Sequence, residues 1–231
     1  MLFGIEWDTA TNLAFAASIL PILLIGLITT LKATVVGFIL AMVIGLILAA
    51  LKGAPLKIIS YPAAFVIEFL RDTPLLIQLF FVFYVLPELT GITIPAFVAG
   101  AVALGLQYSA YCAEVYRGGL EAVPWGQHEA LKALNLPSAY GFFHIILPQA
   151  VPRIIPALGN YLVSIMKDVP ILSVVTVLEM MTIARIIGDR TYNYLVPLSM
   201  VGGLYLILTL LSSFLVRFID MKLPKSGIPL K

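Results

Sequence analysis

Long runs of apolar residues, separated by short polar stretches, occupy most of the chain. A helix that crosses the roughly 30 Å hydrocarbon core of a bilayer needs about 20 apolar residues. An apolar stretch that ends at Pro21 comes first, and residues 9–20 are interpreted as a helix lying in the membrane interface. The pattern then predicts an all-α integral membrane protein with five transmembrane helices, at roughly 23–51, 58–86, 95–116, 152–182 and 195–219.

Basic residues in the connections predict how the chain crosses the membrane, because Lys and Arg accumulate in cytoplasmic loops. Two basic residues, Arg185 and Arg190, fall on the side that also carries the acidic Glu6 and Asp8. This bias places the N-terminus outside and the C-terminus inside, which requires an odd number of spans. Nine basic residues fall on the inner side: Lys52, Lys57, Arg117, Lys132, Arg153, Arg217, Lys222, Lys225 and Lys231.

The composition supports the membrane assignment and excludes several other classes of protein. Of the 231 residues, 61% are hydrophobic and only 11% are charged, too few to cover a water-soluble exterior. The net charge of +2 is too small for a nucleic-acid-binding surface. One cysteine, Cys112, and two histidines argue against a disulfide framework and against a metal cluster.

The connection at 117–151 is much longer than the others and has a pattern of its own. Pro124 suits the first position of a helix, and an alanine- and leucine-rich stretch follows it. Asn135 suits a left-handed helix end, and Pro137 stands where a helix could not continue. We therefore predict a short amphipathic helix from Pro124 to Leu134. It could lie on the membrane surface or dock a soluble partner.

The same connection contains a spaced motif. Glu129-Ala130 is followed by Asn135 and then by Ile145-x-Leu147-Pro148. This resembles the EAA loop of ABC importer permeases, in which Glu-Ala-Ala, three residues, Gly and nine residues precede Ile-x-Leu-Pro. Leu131 replaces the second alanine and Asn135 the glycine. The resemblance implies that the following residues couple the chain to an ATPase: Gly126, Gln127, Glu129, Ala130, Ala133, Asn135, Leu147 and Pro148.

Three further segments extend the resemblance over nearly the whole chain. The runs Arg71-Asp-Thr-Pro-Leu-Leu-Ile-Gln78, Ala110-Tyr-x-Ala-Glu-x-x-Arg-Gly-Gly119 and Lys167-Asp168 are similar to segments of polar amino acid permeases of the histidine/glutamine type. In the third segment, Val169-Pro170 replace the usual Thr-Ser. The first segment and the one after Asp168 look most like ectoine/hydroxyectoine permease subunits.

The resemblance implies a type I importer permease of the bacterial inner membrane. It further implies a second permease subunit, identical or homologous, two ABC ATPase subunits and an extracytoplasmic solute-binding protein. The sequence contains no Gly-x-x-x-x-Gly-Lys-Ser/Thr phosphate loop, so we expect ATP and Mg²⁺ to bind the partner ATPase and no cofactor to bind this chain. We also expect no enzymatic activity and no nucleic-acid partner.

Polar residues from three predicted spans meet near mid-membrane, where a charge costs roughly 2.5–3.5 kcal/mol to insert. Arg71 could pair with Glu68 as a purely structural contact. Alternatively, these residues line a solute pathway, with Arg71 or Lys167 binding a carboxylate and an acidic or aromatic side chain binding an ammonium group. The candidate pathway residues are Arg71, Asp72, Thr73, Gln107, Tyr108, Tyr111, Lys167 and Asp168.

Two other classes of function stay open at this point. A secondary transporter driven by an ion gradient could use the same charges as ion sites. A membrane scaffold subunit would tolerate neutral substitutions of Arg71 and Lys167. The coupling-loop pattern favours the importer permease, because a secondary transporter has no reason to carry a segment that docks an ATPase.

Overall fold

A computed structural model of the protein describes residue 7 and residues 9–223. Glu6, Asp8, Lys225 and Lys231, which enter the orientation argument, lie outside these described residues. Within the described part the chain is helical with short connections and contains no strand, which confirms the all-α class. The helices are α1 (Asn12–Lys52), α2 (Lys57–Asp72), α3 (Leu75–Thr90), α4 (Ala96–Glu121), α5 (Trp125–Ala133), α6 (Ser138–Val175), α7 (Met180–Thr191) and α8 (Leu195–Lys222).

Four helices of the described chain are long and apolar enough to cross a membrane: α1, α4, α6 and α8. The pair α2 and α3 passes the same test together, although the two helices meet at an angle of 104°. By length and composition, the described residues therefore contain four candidate spans, or five if the bent pair counts as one.

Helix α1 is longer than the sequence predicted. The expected break between an interfacial helix at 9–20 and a span beginning at residue 23 is wrong, because one helix of 41 residues runs through Pro21. The Thr11 hydroxyl accepts a hydrogen bond from the Ala14 amide at the N-terminus of this helix. Phe15 and Ile19 are buried against α7 and α8, and this packing holds the first turns in line with the rest.

Helices α1 and α4 form the central pair of the fold. Gly45 of α1 lies so close to α4 that an added Cβ would be 2.7 Å from both the Cys112 Cβ and the Ser109 carbonyl oxygen. Small residues at such positions let helix backbones approach closely in a membrane. Gly37 of α1 is also close to α4, since an added Cβ there would be 3.1 Å from the Leu104 Cβ.

The predicted span at 58–86 is broken at Thr73 and Pro74. Thr73 is extended (φ −92°, ψ 130°), as expected for a residue before proline. Pro74 has no N–H, so the Leu70 carbonyl loses its usual helical partner. The side-chain amide of Gln78 replaces that partner, since its Nε2 donates to the Leu70 oxygen at 2.9 Å and to the Thr73 oxygen at 3.2 Å.

The fourth predicted span, 152–182, is displaced. Helix α6 begins at Ser138, runs through Pro152 and Pro156, and ends at Val175, before a left-handed Thr176 (φ 62°). Pro170 does not interrupt it, because the chain tightens into a 3₁₀ turn at Val169–Val175.

The predicted outer loop around Arg185 and Arg190 is instead helix α7. The Glu179 carboxylate is buried and caps this helix, accepting from the Met181 amide at 2.8 Å and the Thr182 amide at 2.6 Å. The Tyr205 hydroxyl of α8 also donates to Glu179, at 3.0 Å. These contacts fix α7 against its neighbours.

Candidate functional site

Three tyrosine rings form a compact group between α4 and α6. We call Tyr108, Tyr111 and Tyr161 the tyrosine cluster. The ring centroids of Tyr108 and Tyr111 are 5.9 Å apart, those of Tyr108 and Tyr161 are 6.0 Å apart, and those of Tyr111 and Tyr161 are 5.5 Å apart. Tyr108 is buried, whereas Tyr111 and Tyr161 are partly exposed. The cluster therefore presents two aromatic surfaces to whatever lies beside it.

Opposite charges lie at two edges of the tyrosine cluster. The Arg71 guanidinium carbon is 5.9 Å from the centre of the Tyr111 ring, within cation–π range. The same guanidinium is 3.5 Å from the Glu68 carboxylate, and 37% of the Arg71 side chain is exposed. At the other edge the Tyr108 hydroxyl donates to the Asp168 carboxylate at 2.6 Å. The tyrosine cluster therefore lies between a guanidinium group and a carboxylate.

Sequence reasoning missed Tyr161. A signal was present, because Tyr161 precedes Asp168 by seven residues, which places both on one face of a helix. Within an apolar run, Tyr161 resembles an ordinary packing residue. Only the packing of α6 against α4 shows that its ring lies beside Tyr108 and Tyr111.

The other predicted pathway residues divide into two groups. Asp72 and Lys167 are exposed, and neither takes part in an ion pair with any residue that the structure describes. Thr73 lies at the helix break, and its hydroxyl donates to the Phe69 carbonyl at 2.7 Å. Gln107 is buried, and its amide faces the Gln78 amide at hydrogen-bond distance rather than the tyrosine cluster. Gln107 thus contacts the residue that supports the break beside Arg71.

Helix α5 has the form expected of the short helix in the long connection. It begins one residue later than predicted, with Pro124 before its first turn, and it ends before a left-handed Asn135 (φ 50°). The Leu136 amide donates to the Leu131 carbonyl at 3.1 Å and the Asn135 amide to the Lys132 carbonyl at 3.0 Å. This pair of bonds is a Schellman motif, so the predicted left-handed end at Asn135 is confirmed.

One side of α5 faces away from the rest of the protein. Gly126, Glu129, Ala130 and Ala133 are exposed, and Gln127 is partly exposed. Of the two predicted coupling residues in α6, Leu147 is partly buried and Pro148 is exposed. Exposed aromatic side chains adjoin this surface: Trp125, Tyr140 and Phe143.

Leu131 lies on the opposite side of α5 and explains the departure from the alanine of the motif. Its side chain packs against Gly141, where an added Cβ would be 2.7 Å from the Leu131 Cδ1 atom. Leu131 also contacts the buried group formed by Val123, Ile146, Ala150 and Ile154. The larger residue therefore anchors α5 to α6 and leaves the exposed side unchanged.

A network of charges ties α1 to α4 beside this helix. The Glu114 carboxylate is 2.7 Å from the Lys52 ammonium and 2.7 Å from the Arg117 guanidinium, which also pairs with Glu121. The Arg153 guanidinium donates to the Ala122 carbonyl and so links α6 to the same region. These contacts join α1, α4 and α6 next to α5.

Among the described residues, no group of three or more His, Cys, Asp or Glu side chains is placed so that it could hold a metal ion.

At the turn between α7 and α8, the Tyr194 hydroxyl donates to Asp189, and this hydrogen bond raises the pKa of Tyr194.

Comparisons with known proteins agree with this architecture. Residues 41–225 match the family described as the binding-protein-dependent transport system inner membrane component. A protein of Sinorhizobium fredii, described as a probable amino-acid ABC transporter permease, is 64% identical over 232 residues and 100% of both chains. The arginine transport system permease protein of Bacillus subtilis is 37% identical, over 92% of this chain and 98% of its own.

The solved structures show a similar fold. The crystal structure of an amino acid ABC transporter with histidines superposes with a TM-score of 0.88 at 36% identity, covering 94% of this chain and 100% of that one. An inward-facing methionine ABC transporter has a TM-score of 0.77 at 22% identity, which is evidence for the fold alone.

Proposed function

The chain belongs to the family of binding-protein-dependent transport system inner membrane components, and we propose that it forms the solute pathway of an importer for polar amino acids or related small zwitterions. It is a multi-pass, non-catalytic permease subunit of an ABC transporter, and a separate ATPase hydrolyses ATP. An ectoine-like solute fits the same chemistry as an amino acid, because it also carries a carboxylate and a cation.

The arrangement of Arg71, the tyrosine cluster and Asp168 carries the proposal. An exposed guanidinium suits the solute carboxylate, and Asp168 with the exposed tyrosine rings suits the cationic group. We assign Tyr108 to orienting Asp168, and we assign Tyr111 and Tyr161 to contacts with the solute. Charged groups inside a membrane are expensive to insert, which favours a functional role for Arg71 and Asp168.

The remaining pathway residues support this arrangement in different ways. We propose that Asp72 and Lys167, which are exposed, face the pathway and set its electrostatic balance. Thr73 lies at the break between α2 and α3, and broken helices are where transporters expose backbone groups to solutes. Gln107 acts indirectly, since it holds Gln78 and Gln78 supports the break.

Helix α5 is proposed as the coupling helix. Its exposed side and the start of α6 would dock one ATPase subunit, through Gly126, Gln127, Glu129, Ala130, Ala133, Asn135, Leu147 and Pro148. Two ATPase subunits, holding ATP and Mg²⁺, and a second permease subunit, identical or homologous, would complete the transporter with the solute-binding protein. ATP-driven closure of the ATPases would move α5 and alternate access to the pathway.

The proposed topology counts the bent pair α2 and α3 as one span, which gives five spans in a single transmembrane domain. The N-terminus lies outside, and α5 and the C-terminus lie inside. The contacts along α1 support this placement. Gly26 of α1 packs on Met180 of α7, whereas Lys52 pairs with Glu114 beside α5. These two points are about 39 Å apart along the helix, so α7 and α5 lie on opposite sides.

Uptake by the reconstituted transporter tests the solute site. The permease, its ATPase and its solute-binding protein would be placed in proteoliposomes, and uptake of labelled amino acids would be measured with ATP inside. Arg71→Ala and Asp168→Asn should each raise the KM for uptake at least tenfold while the complex still assembles. Lys32→Ala, which changes an exposed charge on α1 away from the cluster, is the matched control. Unchanged uptake in both pathway variants would refute the assignment.

Purification from native membranes in mild detergent tests the partners. A chain with a phosphate loop should remain bound in stoichiometric amount, and a second five-span chain would indicate a heterodimer. A permease that purifies as a dimer without an ATPase would favour an ion-gradient-driven transporter, and tolerance of neutral substitutions at Arg71 and Lys167 would favour a scaffold.

A further inference from the structure

A groove of about 290 Å³ lies between three of the long helices, α1, α6 and α8. We call it the α8 groove. Its lining includes Met42 of α1, Ile155 and Leu162 of α6, and Leu215 and Ile219 of α8. Among the described residues that line it, Ser212 has the one polar side chain, and its hydroxyl contacts the Met166 sulfur at 3.8 Å. An apolar cavity of about half this volume stays dry and binds small hydrocarbons. The α8 groove therefore suits hydrocarbon better than water or a polar solute.

The α8 groove is closed at its base and open at its rim. At the base α6 and α8 touch, since a Cβ added to Gly159 would be 2.9 Å from the Val216 Cγ1 atom. At the rim Leu215 and Ile219 are 54% and 39% exposed. Large apolar side chains are exposed on the same stretches of α1 and α8: Ile39, Val43, Leu46, Leu210, Leu211 and Phe214. On helices long and apolar enough to cross a membrane, such surfaces meet the hydrocarbon of the bilayer.

Helix α6 separates the α8 groove from the proposed solute pathway. Its groove side carries Ile155, Gly159 and Leu162, which recur every three or four residues and therefore share one face. At about 100° per residue, the polar side chains of the same stretch lie roughly 140° around the helix. These are Arg153, Asn160, Ser164 and Lys167. A second permease subunit that shares the pathway would meet this polar side, which leaves the groove side to lipid.

The α8 groove lies in one half of the membrane. Leu215 precedes Lys222, the last residue of α8, by seven residues, or about 10 Å along the axis. Met42 precedes Lys52, the last residue of α1, by ten residues, or about 15 Å. Lys52 pairs with Glu114 beside α5. Because the hydrocarbon core is roughly 30 Å thick, the groove matches the depth of one lipid leaflet, on the side of α5.

A positive charge lies at the end of the α8 groove. Leu215, Ile219 and Lys222 recur at spacings of four and three residues, so Lys222 continues the groove side of α8 toward the membrane surface. The Lys222 Nζ is 4.4 Å from the centre of the Phe218 ring, which holds the ammonium group beside the last turn. Asp220 is exposed on the same turn. The end of the groove thus carries one charge of each sign and suits a headgroup without net charge.

We propose that the α8 groove binds one acyl chain of a zwitterionic phospholipid from the leaflet on the α5 side, with the lipid phosphate beside Lys222. The chain fills an apolar space that water would leave empty, and a lysine ammonium is a common partner for phosphate. Basic groups at the ends of spanning helices bind lipid headgroups in the same way. The choice of leaflet rests on the proposed topology, whereas the groove and its contact with Lys222 do not depend on it.

Photolabelling of the intact transporter in proteoliposomes tests this site. The probe is phosphatidylethanolamine with a diazirine near the end of one acyl chain, diluted into phosphatidylcholine, and labelled peptides are identified by mass spectrometry. The label should concentrate on residues 155–162 and 212–219. Lys222→Gln should lower labelling of these peptides about fivefold, because it removes a basic contact with the phosphate. Arg217→Gln, which removes an exposed charge from the other side of α8, is the matched control and should leave labelling unchanged.

A second pair of variants tests the acyl chain. Ser212→Phe places a ring in the groove and should lower labelling about tenfold, because the ring takes the place of buried methylene groups. Leu211→Phe, which enlarges an exposed side chain outside the groove, is its control. The same probe with a phosphatidylglycerol headgroup should label the groove less than phosphatidylethanolamine does, and equal labelling would overturn the preference for a zwitterionic headgroup.

The distribution of the label decides between the other occupants. Even labelling along α1 and α8, without an excess at 155–162 and 212–219, would show that lipid only coats the protein and would overturn the inference. Labelling of 39–46 with none in the groove peptides would show that another protein chain covers the groove, and would also overturn it. Amino-acid uptake measured in the same proteoliposomes separates the two proposals. Groove labelling without uptake would refute the proposed function alone, and uptake without groove labelling would refute the lipid site alone.

Discussion

Replacing Gln78 with leucine tests how the break beside Arg71 is held. Leucine has a similar volume to glutamine, so the substitution removes polar contacts with little change in packing. The Leu70 carbonyl cannot recover a backbone partner, because residue 74 is proline. The Gln107 amide, which is also buried, loses the side chain that it faces. Gln78→Leu therefore removes a donor to the Leu70 carbonyl and leaves the Gln107 amide facing an apolar side chain.

The expected cost follows from those two groups. An orphaned buried polar group costs about 1–3 kcal/mol in soluble proteins. Interhelical hydrogen bonds in membranes average about 0.6 kcal/mol and reach about 1.7 kcal/mol, because the unfolded chain in the membrane also finds partners. We expect Gln78→Leu to lower the free energy of unfolding by about 2 kcal/mol, which is close to a 30-fold change in the equilibrium constant.

Thr34→Val is the matched control. The Thr34 hydroxyl is buried and donates to the Thr30 carbonyl at 2.8 Å, but that carbonyl lies in mid-helix and keeps its backbone partner. This variant should cost less than about 1 kcal/mol. In the double variant Gln78→Leu/Gln107→Leu part of the loss should return, because no amide is left facing an apolar side chain.

The assay is reversible unfolding of the purified chain in mixed micelles of a mild detergent and sodium dodecyl sulfate, followed by circular dichroism. A difference of less than about 0.5 kcal/mol between Gln78→Leu and the wild type would refute the reasoning. So would a larger cost for Thr34→Val than for Gln78→Leu, since burial of the hydrogen bond would then matter more than the missing N–H of Pro74.

Three further predictions concern the helix ends and contacts. Asn135→Gly should leave the free energy of unfolding unchanged or slightly higher. Asn135→Ala should lower it by about 1 kcal/mol, because alanine tolerates the left-handed end poorly. Equal melting temperatures for the two variants would contradict this. Gly45→Ala should lower the yield of folded protein and the melting temperature, since its Cβ would lie 2.7 Å from the Ser109 oxygen, while Gly203→Ala, at an open position, should not. Glu129→Ala should reduce uptake and the co-purified ATPase without lowering the melting temperature of the permease alone, and normal uptake would contradict a coupling role.

The sequence predicted those parts of the fold that depend on short-range chemistry. The left-handed end of α5 followed from Asn135 and Pro137. The break after Arg71 has a similarly local cause, since Pro74 has no N–H to donate. Each of these features is decided by the backbone of one or two residues, so neighbouring elements are not needed to infer it.

Long-range packing decided the features that the sequence did not predict. Residues 12–20 join α1 because Phe15 and Ile19 are buried against other helices, a contact invisible along the chain. Helix α7 was missed for a similar reason, since its charged residues resembled a loop and its apolar face is defined only by α1 and α8. Within the candidate site, Arg71 and Asp168 were identified from the cost of intramembrane charge, whereas Tyr161 required the contact between two helices.

Helix α1 is a single rigid rod that joins the two ends of the protein. With 41 residues and a rise of about 1.5 Å per residue, it is roughly 60 Å long. Its N-terminal half packs against α7, and its C-terminal end is held by the Lys52–Glu114 ion pair. A tilt of roughly 5° displaces one end relative to the other by about 5 Å, nearly the pitch of a helical turn. Small rotations at the end of α1 near α5 thus become displacements at the end near α7 that are large enough to shift a neighbouring contact by one turn.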